Sequence, residues 1–300
     1  MITVTTVTEL RRQLGQLMRA TYGPVGLVPT MGALHPGHRS LIERCRAECS
    51  VCTVSIFVNP AQFAEQSDLD NYPRTLEADS ALCERSGVDI IFAPSPAEVY
   101  PDGFATSVHV CGVSERWEGE QRPGHFAGVA TVVAKLLGMA MPDRAYFGEK
   151  DFQQLAVVKR MTADLNLPGV IIGCPTVRDE DGLALSSRNT RLSAEERRQA
   201  RRIPAALQGI ANEVLNGNMD EARLKAQARV ILADELIRLE YLAIVDPNTL
   251  EPRGGAVQDG DRIITAVRCG NTRLIDNMEL RLADASQDNM EAGLATGTRR

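Results

Sequence analysis

The sequence predicts an α/β protein with a doubly wound parallel sheet and a smaller C-terminal α+β domain. Strand-like and helix-like patterns alternate from Val25 to Cys174, which is typical of parallel strand–helix–strand units. Several strand candidates are continuous apolar runs, as expected for strands that are covered on both faces. In such sheets, ligands bind at the carboxyl ends of the strands.

The elements of the first domain follow from these patterns in chain order. Apolar runs or, over Ser107–Val110, alternation predict strands over Val25–Pro29, Val51–Val58, Val88–Ala93, Ser107–Val110, Ala145–Phe147 and Val170–Cys174. Apolar residues at helical spacing predict helices over Thr8–Ala20, Arg39–Cys49, Leu76–Ser86, Val129–Ala140 and Phe152–Asn166.

The pattern changes from about Asp179 onwards. Ser193 and Glu196 have the spacing of a capping box, and the helix that they begin is predicted to run through Val214. A helix near Asp220–Ala233 follows, and then two strands, Leu239–Val245 and Arg262–Val267.

These elements predict two domains, residues 1–178 and residues 179–283, joined near Pro175–Asp181. Residues 284–300 are small, polar and without periodicity, which predicts a disordered tail.

The composition excludes several classes of protein. Hydrophobic residues make up 44% of the 300 residues and charged residues 24%, as in an ordinary globular protein. The net charge of −6, with both signs interspersed, argues against a nucleic-acid partner held by bulk electrostatics. No apolar run approaches the ~20 residues of a membrane span, and the N-terminus lacks the pattern of a signal peptide.

The cysteines indicate a reducing compartment. Their number, seven, is odd, which fits free thiols better than a disulfide framework and predicts a cytoplasmic protein. Cys45, Cys49 and Cys52 match no usual zinc spacing, so buried thiols are favoured over a metal site.

The segment from Pro29 to His38, PTMGALHPGH, is the most informative part of the chain. It lies where a predicted strand leads into a helix, and the unpaired N–H groups of a helix start favour phosphate. His35 and His38 bracket a Pro-Gly turn, and two imidazoles there can donate to phosphoryl oxygens as charge develops. Because neither G-x-G-x-x-G nor G-x-x-x-x-G-K-[ST] is present, this turn is the candidate for nucleotide chemistry.

A second candidate segment, FGEKDFQQ, begins at residue 147 and joins a strand to a helix. Gly148 permits close backbone approach, Lys150 supplies a charge for phosphate, and Asp151 can accept from ribose hydroxyls. Gln154 lies one turn beyond Lys150 and faces the same way. Taken alone, this segment is better interpreted as a solvated helix start.

A third segment, GLALSSRN, places Ser186, Ser187 and Arg188 in tandem. Two hydroxyls and a guanidinium can form a polydentate phosphate clamp. An ordinary polar turn is the alternative, but the three segments together favour a nucleotide site.

Other polar positions leave two interpretations open. Asn59 and Gln62 could bind a small hydroxylated substrate or form an asparagine–proline turn. His125 could line the same cleft or take a capping or packing role, whereas His109 is interpreted as structural or surface. Most carboxylates of the acidic stretch around residues 68–79 are interpreted as a solvated face, but one could hold Mg²⁺ together with substrate phosphates, and Asp79 is the candidate.

Several of these segments together give a specific resemblance. The chain contains PTMGALHPGH, SIFVNPAQF, YPRT, RPGHFAGV, YFGEKDFQQL, DGLALSSRN and TRLIDN, which span residues 24–277. In these it resembles the pantoate–β-alanine ligase family of the HIGH-type nucleotidyltransferases. The resemblance implies a Rossmann-like first domain that binds nucleotide and pantoate, a smaller lid domain, a Mg²⁺-dependent reaction and a homodimer.

The reaction that the resemblance implies has two steps. The pantoate carboxylate attacks the α-phosphate of ATP, which gives pantoyl adenylate and pyrophosphate, and the amine of β-alanine then displaces AMP. The substrates would thus be small molecules, with no nucleic acid and no membrane.

The resemblance also implies roles for individual residues. His38 would be the proton donor or stabilise the transition state. Its implied catalytic partners are His35, Lys150, Ser186, Ser187 and Arg188. The implied ATP contacts are Met31, Gly32, Ala33, Leu34, His35, Pro36, Gly37, His38, Gly148, Glu149, Lys150, Asp151, Val177, Leu185, Ser186, Ser187 and Arg188. Gln62 and Gln154 would bind pantoate, and Gln62 would also bind β-alanine. The smaller domain would move to bring Ser186–Arg188 over bound ATP.

Two other functions compete with this one. A nucleotidyltransferase that adenylylates a phosphate would share the histidines, but it should carry extra cations where Asn59, Gln62 and Gln154 are neutral. A non-catalytic ATP-binding regulator would leave both histidines and Lys150 unexplained.

Overall fold

The computed structural model describes residues 1–63 and 65–283 and divides the chain into two compact units. The first unit comprises Met1–Leu192 and Asn248–Leu250, and the second comprises Ser193–Pro247 and the chain from Glu251 onwards. The predicted disordered tail, residues 284–300, lies outside the described residues.

The first unit contains a six-stranded, fully parallel sheet, which confirms the predicted fold class. Its strands are β1 (Ile2–Val4), β2 (Val25–Thr30), β3 (Val51–Ile56), β4 (Ile90–Phe92), β5 (Arg144–Gly148) and β6 (Val170–Cys174), in the order β1-β4-β3-β2-β5-β6. Its α-helices are α1 (Val7–Thr21), α2 (Pro36–Glu48), α3 (Gln66–Asp70), α4 (Leu76–Arg85), α5 (Pro96–Val99), α6 (Glu118–Gln121), α7 (His125–Ala140) and α8 (Phe152–Asp164). Short 3-10 helices span Pro60–Gln62, Glu149–Asp151 and Ser187–Arg191.

The strand order places a crevice beside β2. From β2 the chain continues outward through β3 and β4, and it then returns to add β5 and β6 on the other side of β2. Where the connections from two neighbouring strands leave in opposite directions, a crevice opens at the carboxyl ends of those strands, which here are β2 and β5. Thr30 and Gly148, which end β2 and β5, therefore carry the histidine turn and the Glu149–Asp151 segment to the same place.

Two strand predictions differ from the structure. The prediction of a strand over Ser107–Val110 was wrong, since the structure assigns no strand among these described residues, and the N–H of Val108 donates to Thr131 Oγ1 on α7. Strand β1 was not predicted, because three residues at the sheet edge are too short to show a pattern.

The core under α2 contains the cysteines. Cys45, Cys49 and Cys52 are buried with Cys83 and Cys174, and all seven cysteines of the chain are free. Burial raises the pKa of the Cys83 thiol to about 12. The prediction of buried thiols is thus confirmed for Cys45, Cys49 and Cys52, while Cys111 is exposed. Across residues 1–63 and 65–283, no group of three or more His, Cys, Asp or Glu could hold a metal ion.

The segment after β6 is a hairpin rather than a linker. The N–H of Leu185 donates to Val177 O, that of Asp179 donates to Leu183 O, and Gly182 takes the left-handed φ of +84° in the turn. The observed division between units lies at Leu192/Ser193, whereas the predicted division lay at 178/179. Proline, glycine and acidic residues mark a tight turn as readily as a domain boundary.

The clamp residues Ser186–Arg188 consequently belong to the first unit, together with both histidines. The predicted boundary at 178/179 would place them in the smaller domain instead.

The second unit contains an antiparallel sheet of β7 (Ile237–Val245), β8 (Arg262–Cys269) and β9 (Thr272–Glu279), with helices α9 (Ala194–Ala200), α10 (Arg202–Leu215) and α11 (Glu221–Leu232). The capping box is confirmed: Glu196 N–H donates to Ser193 Oγ and Ser193 N–H to Glu196 Oε2. The single helix through Val214 was wrong, because Pro204 cannot donate to the carbonyl four residues earlier and instead lies in the first turn of a new helix.

No helix in residues 1–63 and 65–283 combines the length and the apolarity that a membrane span requires.

The contact between β2 and α2 yields a stability prediction. A Cβ added at Gly26 would lie 2.3 Å from Cys45 Sγ and 3.0 Å from Cys49 Sγ, so Gly26→Ala should lower the free energy of unfolding by ~1–3 kcal/mol. Gly15→Ala in α1 is the control, because the nearest atom lies 3.7 Å away and alanine favours a helix by up to about 1 kcal/mol. Urea unfolding of both variants tests this, and equal midpoints would contradict it.

Candidate active site

A cavity of about 180 Å³ lies in the crevice at the ends of β2 and β5, within the first unit. The predicted site residues that line it are Met31, His35, Gly37, His38, Gly148, Lys150, Asp151, Val177, Leu185, Ser186, Ser187 and Arg188. The structure therefore brings together the three segments that the sequence singled out, although more than 100 residues separate the first from the second.

The two histidines cap helix α2 through their Nδ1 atoms. His35 Nδ1 accepts from the N–H of Gly37 at 3.1 Å, and His38 Nδ1 accepts from the N–H of His35 at 3.3 Å. A nitrogen that accepts from an amide carries no hydrogen, so each neutral ring carries its hydrogen on Nε2. The cap thus makes both Nε2–H groups hydrogen-bond donors, on two rings whose centroids are 4.1 Å apart.

Both rings are held neutral at physiological pH. Burial, followed by the neighbouring His35, lowers the pKa of His38 to about 3. Burial and the charge of Lys150 also lower the pKa of His35. The site therefore offers two uncharged donors beside the cations Lys150 and Arg188.

The turn before the histidines donates hydrogen bonds to the side chain of Asp79. Its carboxylate accepts from the N–H of Ala33 at 3.0 Å and of Leu34 at 2.7 Å, and from Thr75 Oγ1 at 3.2 Å. Gly32 and Ala33 both have positive φ, 81° and 51°. Asp79, only 2% exposed, thereby compensates a left-handed turn that is unfavourable for alanine.

The charged lining lies in two 3-10 helices, Glu149–Asp151 just before α8 and Ser187–Arg191 after the hairpin. Lys150 Nζ lies 3.5 Å from Asp151 Oδ1. Although burial raises the pKa of Asp151, the charges of Lys150 and Arg188 outweigh it and lower the pKa overall, so this carboxylate is ionised. Ser186 Oγ accepts from the N–H of Arg188 at 3.2 Å and so shapes the clamp segment, while its own hydrogen stays available as a donor.

Some predicted residues lie outside the lining. The side chain of Glu149 lies over Gly173 of β6, with Oε1 3.2 Å from the position of an added Cβ. Other predicted ATP contacts on the turn, Gly32, Ala33, Leu34 and Pro36, do not line the cavity either. Of these, Ala33 and Leu34 have their N–H groups bonded to Asp79.

The predicted pantoate residues lie apart from this cavity. Gln62 lies on the 3-10 turn after β3, and Gln154 lies in the first turn of α8; neither lines the cavity. Asn59 is 1% exposed and caps that 3-10 turn, so for Asn59 the turn interpretation holds. His125 is buried and hydrogen-bonded, which is the packing role.

Sequence reasoning missed four lining residues: Leu41, Tyr72, Pro175 and Thr176. Leu41 lies three residues beyond His38 on the same helix, and that spacing could have identified it. Tyr72 packs edge-on against Phe63 with ring centroids 5.7 Å apart, a contact between two loop residues that no helical or strand periodicity indicates.

Comparisons with known proteins agree with this geometry. Residues 2–279 match the model of the family described as pantoate-beta-alanine ligase. This chain belongs to the pantoate–β-alanine ligase family. The family is one of ligases, and the match extends through both units.

Individual relatives of this ligase family span nearly the whole chain. A pantothenate synthetase from Rhizorhabdus wittichii is 50% identical over 281 residues, 93% of this chain and 99% of the relative. The crystal structure of pantothenate synthetase from Thermus thermophilus has a TM-score of 0.87 at 49% identity, covering 94% of this chain and 100% of that one. A structure of the Francisella tularensis pantoate-beta-alanine ligase, complexed with beta-gamma ATP and beta-alanine, has a TM-score of 0.74 at 34% identity, covering 93% and 97%.

The histidine cap predicts a dependence of stability on pH. Because the folded state keeps His38 neutral to about pH 3, it binds fewer protons than the unfolded chain below pH 6.5. Stability is therefore full above pH 6.5 and is lost as the pH falls towards 3. In His38→Asn, the amide oxygen can accept from His35, and the loss between pH 7 and 4.5 should be smaller by on the order of 1–2 kcal/mol.

Urea unfolding across this pH range measures the difference. His109→Gln is the control, because it also removes one histidine, but from an exposed position. Its profile should follow the wild type, and a His38→Asn profile parallel to both would contradict the prediction.

Proposed function

We propose that this chain condenses pantoate with β-alanine, using ATP, through a pantoyl-adenylate intermediate and with release of pyrophosphate and AMP. One observation supports this above the others: two neutral imidazoles and two cations line a single cavity at the crevice between β2 and β5. The family membership and the Francisella complex agree with it.

In the first step a pantoate carboxylate oxygen forms a bond to the α-phosphorus of ATP. The bond from that phosphorus to the oxygen that bridges to the β-phosphate breaks, and pyrophosphate leaves. Negative charge grows on the phosphoryl oxygens in the transition state, where His35, His38, Lys150 and Arg188 donate to it. Because both histidines start neutral, their hydrogen bonds strengthen as charge appears and they do not hold the ground-state triphosphate too tightly.

In the second step the amine of β-alanine attacks the acyl carbon of the adenylate. The amide bond forms, the amine releases a proton, and AMP leaves with the electron pair of the acyl–oxygen bond. Gln62 and Gln154 bind pantoate through neutral amides, and Gln62 also contacts β-alanine. Neutral donors suit a hydroxylated carboxylate that must remain nucleophilic, since a cation paired with it would weaken its attack.

The nucleotide would be bound by the remaining lining residues. Gly148, Asp151 and Val177 contact the nucleoside, Val177 through its backbone, while Ser186–Arg188 contact the phosphates. Ser187 adds a hydroxyl to the guanidinium of Arg188, which suits an anion with several oxygens.

Mg²⁺ would enter with the phosphates, where it neutralises charge on the leaving pyrophosphate. Mg²⁺ generally takes one or two carboxylates and completes its shell with phosphates and water. Asp79, the candidate from the sequence, does not fit this part, because it is 2% exposed, does not line the cavity, and has its carboxylate bonded to two N–H groups and the Thr75 hydroxyl.

The compartment and the oligomeric state belong to the same proposal. Seven free cysteines, five of them in one core, suit the reducing cytoplasm. The resemblance to the family supports a homodimer.

The exchange of labelled pyrophosphate into ATP, without β-alanine, tests this function. Exchange should require pantoate, because the adenylate must form before pyrophosphate can return. Exchange that requires a phosphate-bearing acceptor instead would favour the other nucleotidyltransferase reaction, and no exchange by folded protein that binds ATP would favour a regulator.

Removal of one donor should slow this reaction strongly. His38→Ala and Lys150→Ala should each lower turnover ~10²-fold or more, because each removes a prepositioned donor to the transition state. His109→Ala, at an exposed position away from the cavity, is the matched control. Near-normal turnover by a folded His38→Ala protein would exclude the histidine from the mechanism.

A further inference from the structure

The turn that carries Gln62 is bonded to the start of helix α7. Asn59 Nδ2 donates to Gly128 O at 3.2 Å, and His125 Nδ1 lies 3.0 Å from Gln62 O. The hydroxyl of Tyr100 donates to Asn59 Oδ1 at 2.7 Å. Three side chains thus fix the short turn Pro60–Gln62.

The contacts of His125 determine its tautomer. Arg122 Nη1 lies 3.0 Å from His125 Nε2, and because a guanidinium can only donate, Nε2 must accept. The ring hydrogen is therefore on Nδ1, which donates to Gln62 O. This is the opposite tautomer from that of His35 and His38. Burial, and then the charge of Arg122, lower the pKa of His125 to about 4, so the ring stays neutral and keeps both bonds.

Gly128 brings the helix and the turn into backbone contact. A Cβ added there would lie 2.3 Å from Ala61 O and 2.7 Å from Gln62 N. No side chain fits at those distances, so even alanine would displace the turn. At Gly138 in the same helix, an added Cβ meets no atom within 4 Å.

The network continues to the amide of Gln62 itself. Asn59 Nδ2, which donates to Gly128 O, also donates to Gln62 Oε1 at 3.0 Å. The oxygen of the Gln62 amide is thereby oriented towards Asn59, and its Nε2 remains as the donating group. The contacts therefore extend without a break from α7 through Asn59 to the Gln62 side chain.

We propose that His125 and Gly128 are positioning residues, which place the Gln62 amide for the pantoate carboxylate and hydroxyls and leave ATP binding unaffected. This inference rests on the proposed function. Bound groups lose up to about 100-fold in rate when misplaced by about 1 Å, and the overlap at Gly128 forces a shift of that size.

Steady-state pyrophosphate exchange with four variants tests the inference, with pantoate and ATP varied separately. Gly128→Ala and His125→Leu should raise the half-saturating pantoate concentration about tenfold or more and change that of ATP less than about twofold. His125→Asn should recover most of the loss, because its amide nitrogen can donate where Nδ1 does. Gly138→Ala, the matched control, should behave as the wild type.

Several outcomes would overturn the inference. One is a Gly128→Ala enzyme with the pantoate dependence of Gly138→Ala, and another is an equal rise for pantoate and ATP. If His125→Leu does not fold, Tyr100→Phe removes a single bond at the side of the turn and should still raise the pantoate value selectively; an unchanged value would count against the proposal. A wild-type protein without pantoate-dependent exchange would overturn the proposed function as well, whereas unchanged variants of an active enzyme overturn only this inference.

Discussion

The hydrogen bond from the Gly37 N–H to His35 Nδ1 is the interaction on which the site depends. A serine or aspartate would be a more usual cap. Serine would offer no ring to reach into the cavity, and aspartate would place a negative charge where the proposed phosphate binds. Histidine satisfies the helix start with one nitrogen and keeps the hydrogen on the other for the ligand. The cap thereby sets position, tautomer and charge together, and His38 repeats the arrangement through the N–H of His35.

The carboxylate that stabilises the turn before the histidines does not line the cavity. Asp79 bonds the left-handed turn at Ala33 from the side of α4, where it is almost entirely buried. Two N–H groups and a hydroxyl donate to this carboxylate, and the neutral imidazoles of His35 and His38 line the cavity instead. Buried polar groups with this many partners favour a single conformation, because each alternative leaves a carboxylate oxygen unsatisfied.

Local motifs predicted well which residues meet at the cavity, but they gave little indication of the contacts around Gln62. The segments around His38 and Lys150 were identified because each joins a predicted strand to a helix, and parallel topology brings such ends together. The Arg188 segment was identified by its tandem hydroxyls and guanidinium. The role of Asn59 could not be predicted, since its partners Tyr100 and Gly128 are 41 and 69 residues away in sequence. For the same reason the alternation over residues 107–110 was misleading: a strand needs a neighbour with free backbone groups, and only the fold provides one.

Two regions of the site each contain a histidine bonded to the backbone, but the donor and acceptor roles are reversed between them. His35 accepts from the backbone and keeps a donor for the ligand, whereas His125 donates to the backbone and takes up its other nitrogen with Arg122. A histidine whose two ring nitrogens both form hydrogen bonds within the protein cannot exchange protons with a substrate, so its role is to hold its neighbours in position. A histidine with one nitrogen engaged presents the other at a defined angle. Whether the second ring nitrogen is already hydrogen-bonded within the protein therefore distinguishes His35 and His38, which can act on a ligand, from His125, which holds the Gln62 turn in place.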